Sequence, residues 1–285
     1  MTERYAEWEQ RNELSRYTDK QKIRDHYDRI SPFYQDLWGM HLHHGYWISG
    51  KETKDQAQAQ LVDHLARLAG VRPGSRILDV GCGYGGSSIH LAKQYDADAT
   101  GITISPVQVE MAQKAATTEG AKARFMVMDA EEIKFEQPFD IVWSVESISH
   151  YPHREKFFAG AARCLKSGGT LVITDWFKKK DLTEREYKKS IQSIEKGMLV
   201  ELDTMEDYAA FLSSNGLQVV HYENLNKHCA KTWDLGLDII KNKSLWRIAA
   251  EFGSEFIDFL QAFRAMRAGF KSGDFVYGLI VARKI

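Results

Sequence analysis

Cysteine is scarce in this chain: there are three, at positions 82, 164 and 229. An odd number without Cys-x-x-Cys spacing argues against a disulfide framework and a zinc site, and points to the cytoplasm. A surplus of charge is also lacking. Lysine and arginine number 38 against 39 aspartates and glutamates, a formal net charge of −1. No basic footprint exists for a polyanion, so nucleic acid is not the expected partner. No apolar run is long enough to span a bilayer, and the first ten residues hold no hydrophobic targeting core. Internal repeats and low-complexity tracts are missing too. What is present is 44% hydrophobic residues, enough for a substantial core in a single α/β domain with a cap.

The informative stretch is Arg76-Ile-Leu-Asp-Val-Gly-Cys-Gly-Tyr-Gly-Gly86. A short apolar run breaks into glycines and a helical pattern follows, which predicts a strand, a tight turn and a helix start. Gly81, Gly83 and Gly86 have G-x-G-x-x-G spacing, which lets a ligand approach bare backbone at a helix N-terminus. Asp79, two residues before the first glycine, would attract an ammonium and repel a pyrophosphate. At the end of the next strand stands Thr103, where an NAD site would place an acid for the ribose hydroxyls. Together they favour S-adenosylmethionine, a nucleoside carrying an amino acid, over a dinucleotide.

Two further strand ends complete the expected site. After the strand beginning at Ala123 come Asp129, Ala130 and Glu131, where a carboxylate can accept from the adenine amine. The strand 139–145 delivers Glu146, Ser147, His150 and His153 just past its tip, where a methyl acceptor belongs. His150 is the candidate base, with Glu146 orienting it or stabilising positive charge. The plainer alternatives are a Glu146 paired to backbone donors and a His153 that only begins a helix.

Three segments, Ile77–Gly86, Gly101–Gln108 and Phe139–Ser147, resemble the class I S-adenosylmethionine-dependent methyltransferases. Within them the chain is similar to the tocopherol C-methyltransferase-like branch, which also contains alkaloid N-methyltransferases, and His41-Leu-His-His-Gly-Tyr-Trp47 shares that likeness. The resemblance is firm over roughly residues 20–180 and loose beyond them. It implies a doubly wound, Rossmann-like α/β fold: a seven-stranded, mostly parallel sheet with an antiparallel final strand, N-terminal helices and a helical cap. It also implies that an N-terminal segment carrying Tyr27 closes over the methionine half of the cofactor. Thr103 or Ser105, with Gln108, would take the ribose role, and Glu146 and His150 would form a Glu-x-x-x-His pair. Ile104 and Ser144 join the cofactor-binding candidates, and S-adenosyl-L-homocysteine is the expected product.

Along the chain, residues 2–30 have helical spacing (Tyr5, Trp8, Ile23, Tyr27, Ile30), read as two helices that Ser31-Pro32 stops. Of His41, His43 and His44, no pair has the i, i+4 spacing of helical metal ligands. They are expected to fix a loop by hydrogen bonds, with Gly45, Tyr46 and Trp47 folding toward the cofactor and His44 facing the substrate. Tyr46, Trp47 and Trp176 are the other substrate-binding candidates. Helices are expected over 55–69, 86–95, 106–118, 153–166 and 204–214, and strands over 98–104, 167–176, 217–222 and 274–282. Residues 178–200 read as a lid. The helical patterns before the last strand are rich in aromatics (Trp233, Trp246, Phe252, Phe256, Phe259, Phe263 and Phe270), more than a bare sheet domain needs, so some should line an apolar pocket or a subunit contact. The chain divides into an N-terminal segment 1–70 closing over the cofactor, a binding core 71–177 and a lid with the last strands 178–285, all within one domain.

The expected activity is methyl transfer to carbon or nitrogen of a small, largely apolar natural product, isoprenoid, indole-like or phenolic. Transfer to oxygen of a phenolic or glycosylated metabolite is the alternative. Three rivals share some of these features: an NAD(P) oxidoreductase, a protein that binds S-adenosylmethionine for another rearrangement, and a membrane-surface enzyme of lipid metabolism. The N-terminal and cap helices are the surfaces through which a homo-oligomer would form.

Overall fold

The computed structural model describes residues 17–240 and 253–285. The helical reading of residues 2–16, with Tyr5 and Trp8, lies outside them, as do Trp246, Phe252 and the side chain of Phe256. In chain order the elements are α1 (Lys20–Trp38), α2 (Lys54–Ala69), β1 (Arg76–Val80), α3 (Gly86–Tyr95), β2 (Asp98–Thr103), α4 (Pro106–Glu119), β3 (Ala123–Val127) and β4 (Phe139–Val145). They continue as α5 (Arg154–Cys164), β5 (Leu165–Lys178), α6 (Glu184–Ser190), α7 (Gln192–Met198), α8 (Met205–Ser214), β6 (Leu217–Asn224), α9 (Asn226–Cys229), α10 (Lys231–Ile240), α11 (Ser254–Ser272) and β7 (Phe275–Lys284).

The seven strands form one sheet in the order β3-β2-β1-β4-β5-β7-β6. β1 through β5 pair in parallel, and β7 runs antiparallel between β5 and β6. The order reverses between β1 and β4, and a crevice opens at that switch point beyond their carboxyl ends. Alternation along each strand feeds two cores. Ile77, Ile141, Trp143 and Val172 pack with α2 and the lid, while Leu78, Val80, Val142 and Ile173 pack with α5 and α8. Because both faces are covered, apolar residues point to both sides of these strands.

Local signals set the helix ends that aim this crevice. Thr53 and Gln56 form a reciprocal capping box before α2, and Gly70 closes it at φ 72°. Ser105 caps α4, with Pro106 in its first turn. One boundary differs from expectation: α1 runs straight through Ser31-Pro32 to Trp38. Proline removes one donor from the helical ladder, but tertiary contacts hold this turn. The Asp28 carboxylate accepts from Ser105 Oγ, and Ser31 Oγ accepts from Gln108 Nε2 at 3.1 Å. The expected lid becomes α6 and α7, and α7 packs so closely on α11 that a Cβ on Gly197 would lie 2.3 Å from the Asp258 carbonyl oxygen.

Candidate active site

The glycine turn after β1 is built for close approach. Gly81 has φ +77°, and a Cβ there would lie 2.2 Å from Ser147 Oγ. Gly86, at the N-terminus of α3, would place a Cβ 2.3 Å from the Met40 carbonyl oxygen, so the 40–44 segment can lie over the turn only if residue 86 has no side chain. Gly86→Ala is expected to cost about 1–3 kcal/mol of stability through overpacking. Thermal melts with and without S-adenosylhomocysteine should show the melting temperature and the ligand-induced rise falling together.

Asp79 is 2% exposed, and its carboxylate accepts from Ser88 Oγ at 2.6 Å. Burial pushes its pKa up to about 7, against the Ser88 hydrogen bonds that pull it down. Such a carboxylate, on the cavity wall, is poised to receive a cation.

The same cavity is lined by Gly81, Gly83, Thr103, Ile104, Gln108, Asp129, Ala130, Tyr27, Glu146, His150, His44 and Trp176, so most of the residues expected from sequence converge on it. Thr103 Oγ1 donates to Gln108 Oε1 at 2.7 Å, and both are buried. Lys20 of α1 reaches Asp129 Oδ2 at 2.6 Å, which ties the first described helix to the tip of β3.

Four expected residues lie off the cavity. The Glu131 carboxylate instead binds the Lys20 ammonium and accepts from the His153 backbone N–H at 2.7 Å, anchoring the start of α5. Ser144 is fully buried within β4 and meets Ser147 Oγ at 3.2 Å; Ser147 holds the position facing the glycine turn. Tyr46 stacks between His64 and His228, at 4.6 and 4.4 Å between ring centroids, and the Trp47 indole donates to the Glu52 carbonyl. The chain leaves the cavity at Gly45, whose N–H bonds to Thr232 and whose Cα packs against the Trp47 ring, so Tyr46 and Trp47 fasten the loop from outside. The loop histidines do form hydrogen bonds. His43 Nδ1 meets the His44 carbonyl, and its Nε2 meets His41 Nδ1 at 3.0 Å.

The carboxylate–imidazole pairing also differs from expectation. Glu146, at φ 52° just past β4, is a non-glycine residue in the left-handed region. Its Oε1 accepts from the His44 backbone N–H at 2.7 Å, from His44 Nδ1 at 2.9 Å and from the Tyr277 hydroxyl at 2.8 Å. Burial alone would push its pKa up, but its pairing and hydrogen bonds with His44, with His43 nearby, outweigh it and hold Glu146 below the ordinary carboxylate range. His150 is engaged elsewhere: Nδ1 lies 3.0 Å from the Leu199 carbonyl, which can only accept, so Nε2 receives the Tyr27 hydroxyl at 3.0 Å. Burial pushes the His150 pKa down to about 4. His150→Asn is therefore expected to lower the melting temperature more than it lowers kcat. Steady-state kinetics beside a thermal melt separates the two effects.

Sequence reading did not single out Tyr277, Thr232 or Lys20 for this site. Tyr277 sits on the last strand, 131 positions from its partner Glu146, and looks there like any aromatic strand residue.

Comparison with known proteins shows the family. The family described as mycolic acid cyclopropane synthetase matches residues 14–276. The chain belongs to this family. It is a class I S-adenosylmethionine-dependent methyltransferase. It is 32% identical to the 27-O-demethylrifamycin SV methyltransferase of Amycolatopsis mediterranei, over 90% of this chain and 95% of that protein. It is 30% identical to the chloroplastic tocopherol O-methyltransferase of Arabidopsis thaliana, over 92% of this chain and 81% of that one. Among solved structures, mycolic acid cyclopropane synthase CmaA1 complexed with SAH and CTAB superposes with a TM-score of 0.81, covering 92% of this chain and 97% of that one at 21% identity, a likeness of fold. The methyltransferase's cavity fits the cofactor: a buried carboxylate for an ammonium, a bare glycine turn and a polar strand tip at Thr103 and Gln108. Among the described residues, no helix is long and apolar enough to cross a membrane.

Proposed function

We propose that this methyltransferase acts on a hydroxyl oxygen of a small, largely apolar molecule, with His44 as the general base. The observation that carries this reading is the state of the His44 ring. Nδ1 is bonded to a buried carboxylate, while Nε2 is buried and has no hydrogen-bond partner among the described residues. A carboxylate on Nδ1 fixes the proton there and leaves Nε2 as a lone-pair acceptor. Methylation of a hydroxyl requires just such a group to take up its proton; methylation of a free amine does not. This reading puts oxygen, the alternative in the sequence reading, ahead of carbon or nitrogen, and it is supported by the two relatives described above, both named for transfer to oxygen.

S-adenosylmethionine, when bound, supplies a methyl group activated by a sulfonium. Asp79 would hold its ammonium, the Gly81–Gly86 turn its amino-acid portion, Thr103 and Gln108 the ribose, and Asp129 and Ala130 the adenine. Gln108 and Thr103 spend hydrogen bonds on one another and on Ser31, so a ribose would exchange partners with α1. Tyr27 and Lys20 of the same helix close the cavity. At the acceptor end, His44 Nε2 takes the hydroxyl proton as the new oxygen–carbon bond forms, and Glu146 stabilises the resulting imidazolium. Orientation within a dry, aromatic cavity contributes much of the remaining rate. The test is incubation with methyl-labelled S-adenosylmethionine and a panel of apolar phenols, alcohols, amines and alkenes. Label in methyl ethers that depends on His44 is the expected result, and label confined to amines or carbon sinks the reading.

A further inference from the structure

Three residues that line the cavity around His44 each carry a buried ring nitrogen with no hydrogen-bond partner among the described residues: His44 Nε2, Trp176 Nε1 and Trp233 Nε1, in residues 1%, 6% and 3% exposed. The ring centroids of Trp233 and Trp176 lie 4.7 and 6.3 Å from that of His44, and 6.4 Å from one another. All three residues line the cavity. An unpaired buried donor or acceptor costs about 1–3 kcal/mol, and native proteins carry few of them. An N–H resting on a ring face recovers only part of that.

We propose that this trio is the recognition face for the acceptor, and that the acceptor presents a hydroxyl beside a second, hydrogen-bond-accepting oxygen. This rests on the reading of His44 as the base. The chemistry follows from what each group can do. Nε2 of an imidazole protonated on Nδ1 can only accept, so it takes the hydroxyl. An indole N–H can only donate, so its counterpart must carry lone pairs: a carbonyl, an ether or a neighbouring phenolic oxygen. Two indole donors match the two lone pairs of one such oxygen. The neighbouring wall, with Val145, Met198 and Phe263, is apolar and reads shape alone. An isolated hydroxyl gives its proton to His44 and needs one lone pair for the incoming methyl, so it can accept from one indole at most and leaves the other unpaired, which is where discrimination arises. Trp176 and Trp233 are thus specificity-determining residues.

The probes are 4-propylguaiacol, whose hydroxyl adjoins a methoxyl oxygen, and 4-propylphenol, whose hydroxyl stands alone. Each is titrated into the S-adenosylhomocysteine complex of the full chain, labelled with 15N at its seven tryptophans, and each is assayed as an acceptor. The expected result is that the guaiacol binds about tenfold or more tightly than the phenol, moves two indole N–H signals downfield and has the higher kcat/KM. Trp176→Phe and Trp233→Phe should each shrink that preference, weakening the guaiacol more than the phenol. Equal affinities, unmoved indole signals, or variants that weaken both probes alike would overturn the proposal. The signals of the unaltered protein decide the matter if either variant does not fold. Selective binding with two shifted indoles but no ether product, or product formation untouched by His44→Gln, removes the base reading and keeps this one. Methylation of both probes without preference does the reverse, and binding of neither removes both.

Discussion

Replacing His44 with glutamine is expected to lower kcat for a hydroxylated acceptor by about 100- to 10,000-fold, the range for loss of a general base. S-adenosylhomocysteine affinity, measured by calorimetry, should stay within about threefold of wild type, because His44 belongs to the acceptor end. Glutamine keeps a donor for Glu146 but supplies no basic nitrogen. A turnover within tenfold of wild type would place the proton acceptor elsewhere. Glu146→Gln should act in the same direction with a second signature. The folded-state pKa of Glu146 lies below the ordinary value, so its ionised pairing stabilises the fold above the unfolded-state pKa. That contribution is lost as pH falls through the folded value. Glu146→Gln should therefore be less stable than wild type at neutral pH, with the difference shrinking in acid. Tyr277→Phe removes one of the three donors to Glu146 Oε1 and should have a smaller effect of the same kind.

The second large effect is expected at Asp79. Asp79→Asn should weaken S-adenosylhomocysteine binding by about 100-fold or more, the scale for losing a buried charge pair. It should nevertheless make the free protein more stable at pH 8. Burial raises the Asp79 pKa from 3.8 to about 7, so the folded chain holds a proton that the unfolded chain releases. Stability from this group is fully present below the unfolded value and declines as pH rises through the folded one, with no further loss above it. Asparagine carries no charge to desolvate and escapes that loss. For the same reason wild-type affinity should rise with pH through about 7, since only the ionised form pairs with an ammonium. Calorimetry across pH 6 to 8 for both proteins, beside thermal melts of the free forms, checks both signs. Unchanged binding by the asparagine variant would reassign the carboxylate to a structural role.

The two sites differ in how far they could be read in advance. Asp79, Gly81, Gly83 and Gly86 lie within one strand–turn–helix, where steric demand and charge are properties of neighbouring positions. Their place on the cavity wall was legible because a glycine turn and the acid before it are set by local sequence. Thr103, Gln108, Asp129 and Ala130 were legible for a related reason: in a parallel sheet every strand ends on the same side, so the residue after each strand is a site candidate. The pairing of Glu146 was not legible. Its spacing to His150 suggested a local partnership, yet the left-handed backbone at Glu146 turns the carboxylate toward His44, 102 positions earlier, and toward Tyr277 on the last strand. Nor could the pattern show that Pro32 sits inside a helix, because contacts from α4 hold that turn.

Periodicity and glycine spacing predicted the strands, helices and binding turn, Asp79 and Thr103 favoured the adenosyl donor, and the doubly wound sheet was what the family resemblance implied. The elements, the turn and the donor preference are consequences of backbone sterics and charge acting over a few residues. Which imidazole has a free nitrogen, which indole N–H groups lack partners and which aromatics face the cavity were decided only when the 41–47 loop, β4, β7 and the cap helices packed together. Hydrogen-bond satisfaction of a buried group depends on atoms brought from distant parts of the chain, and no local pattern records that.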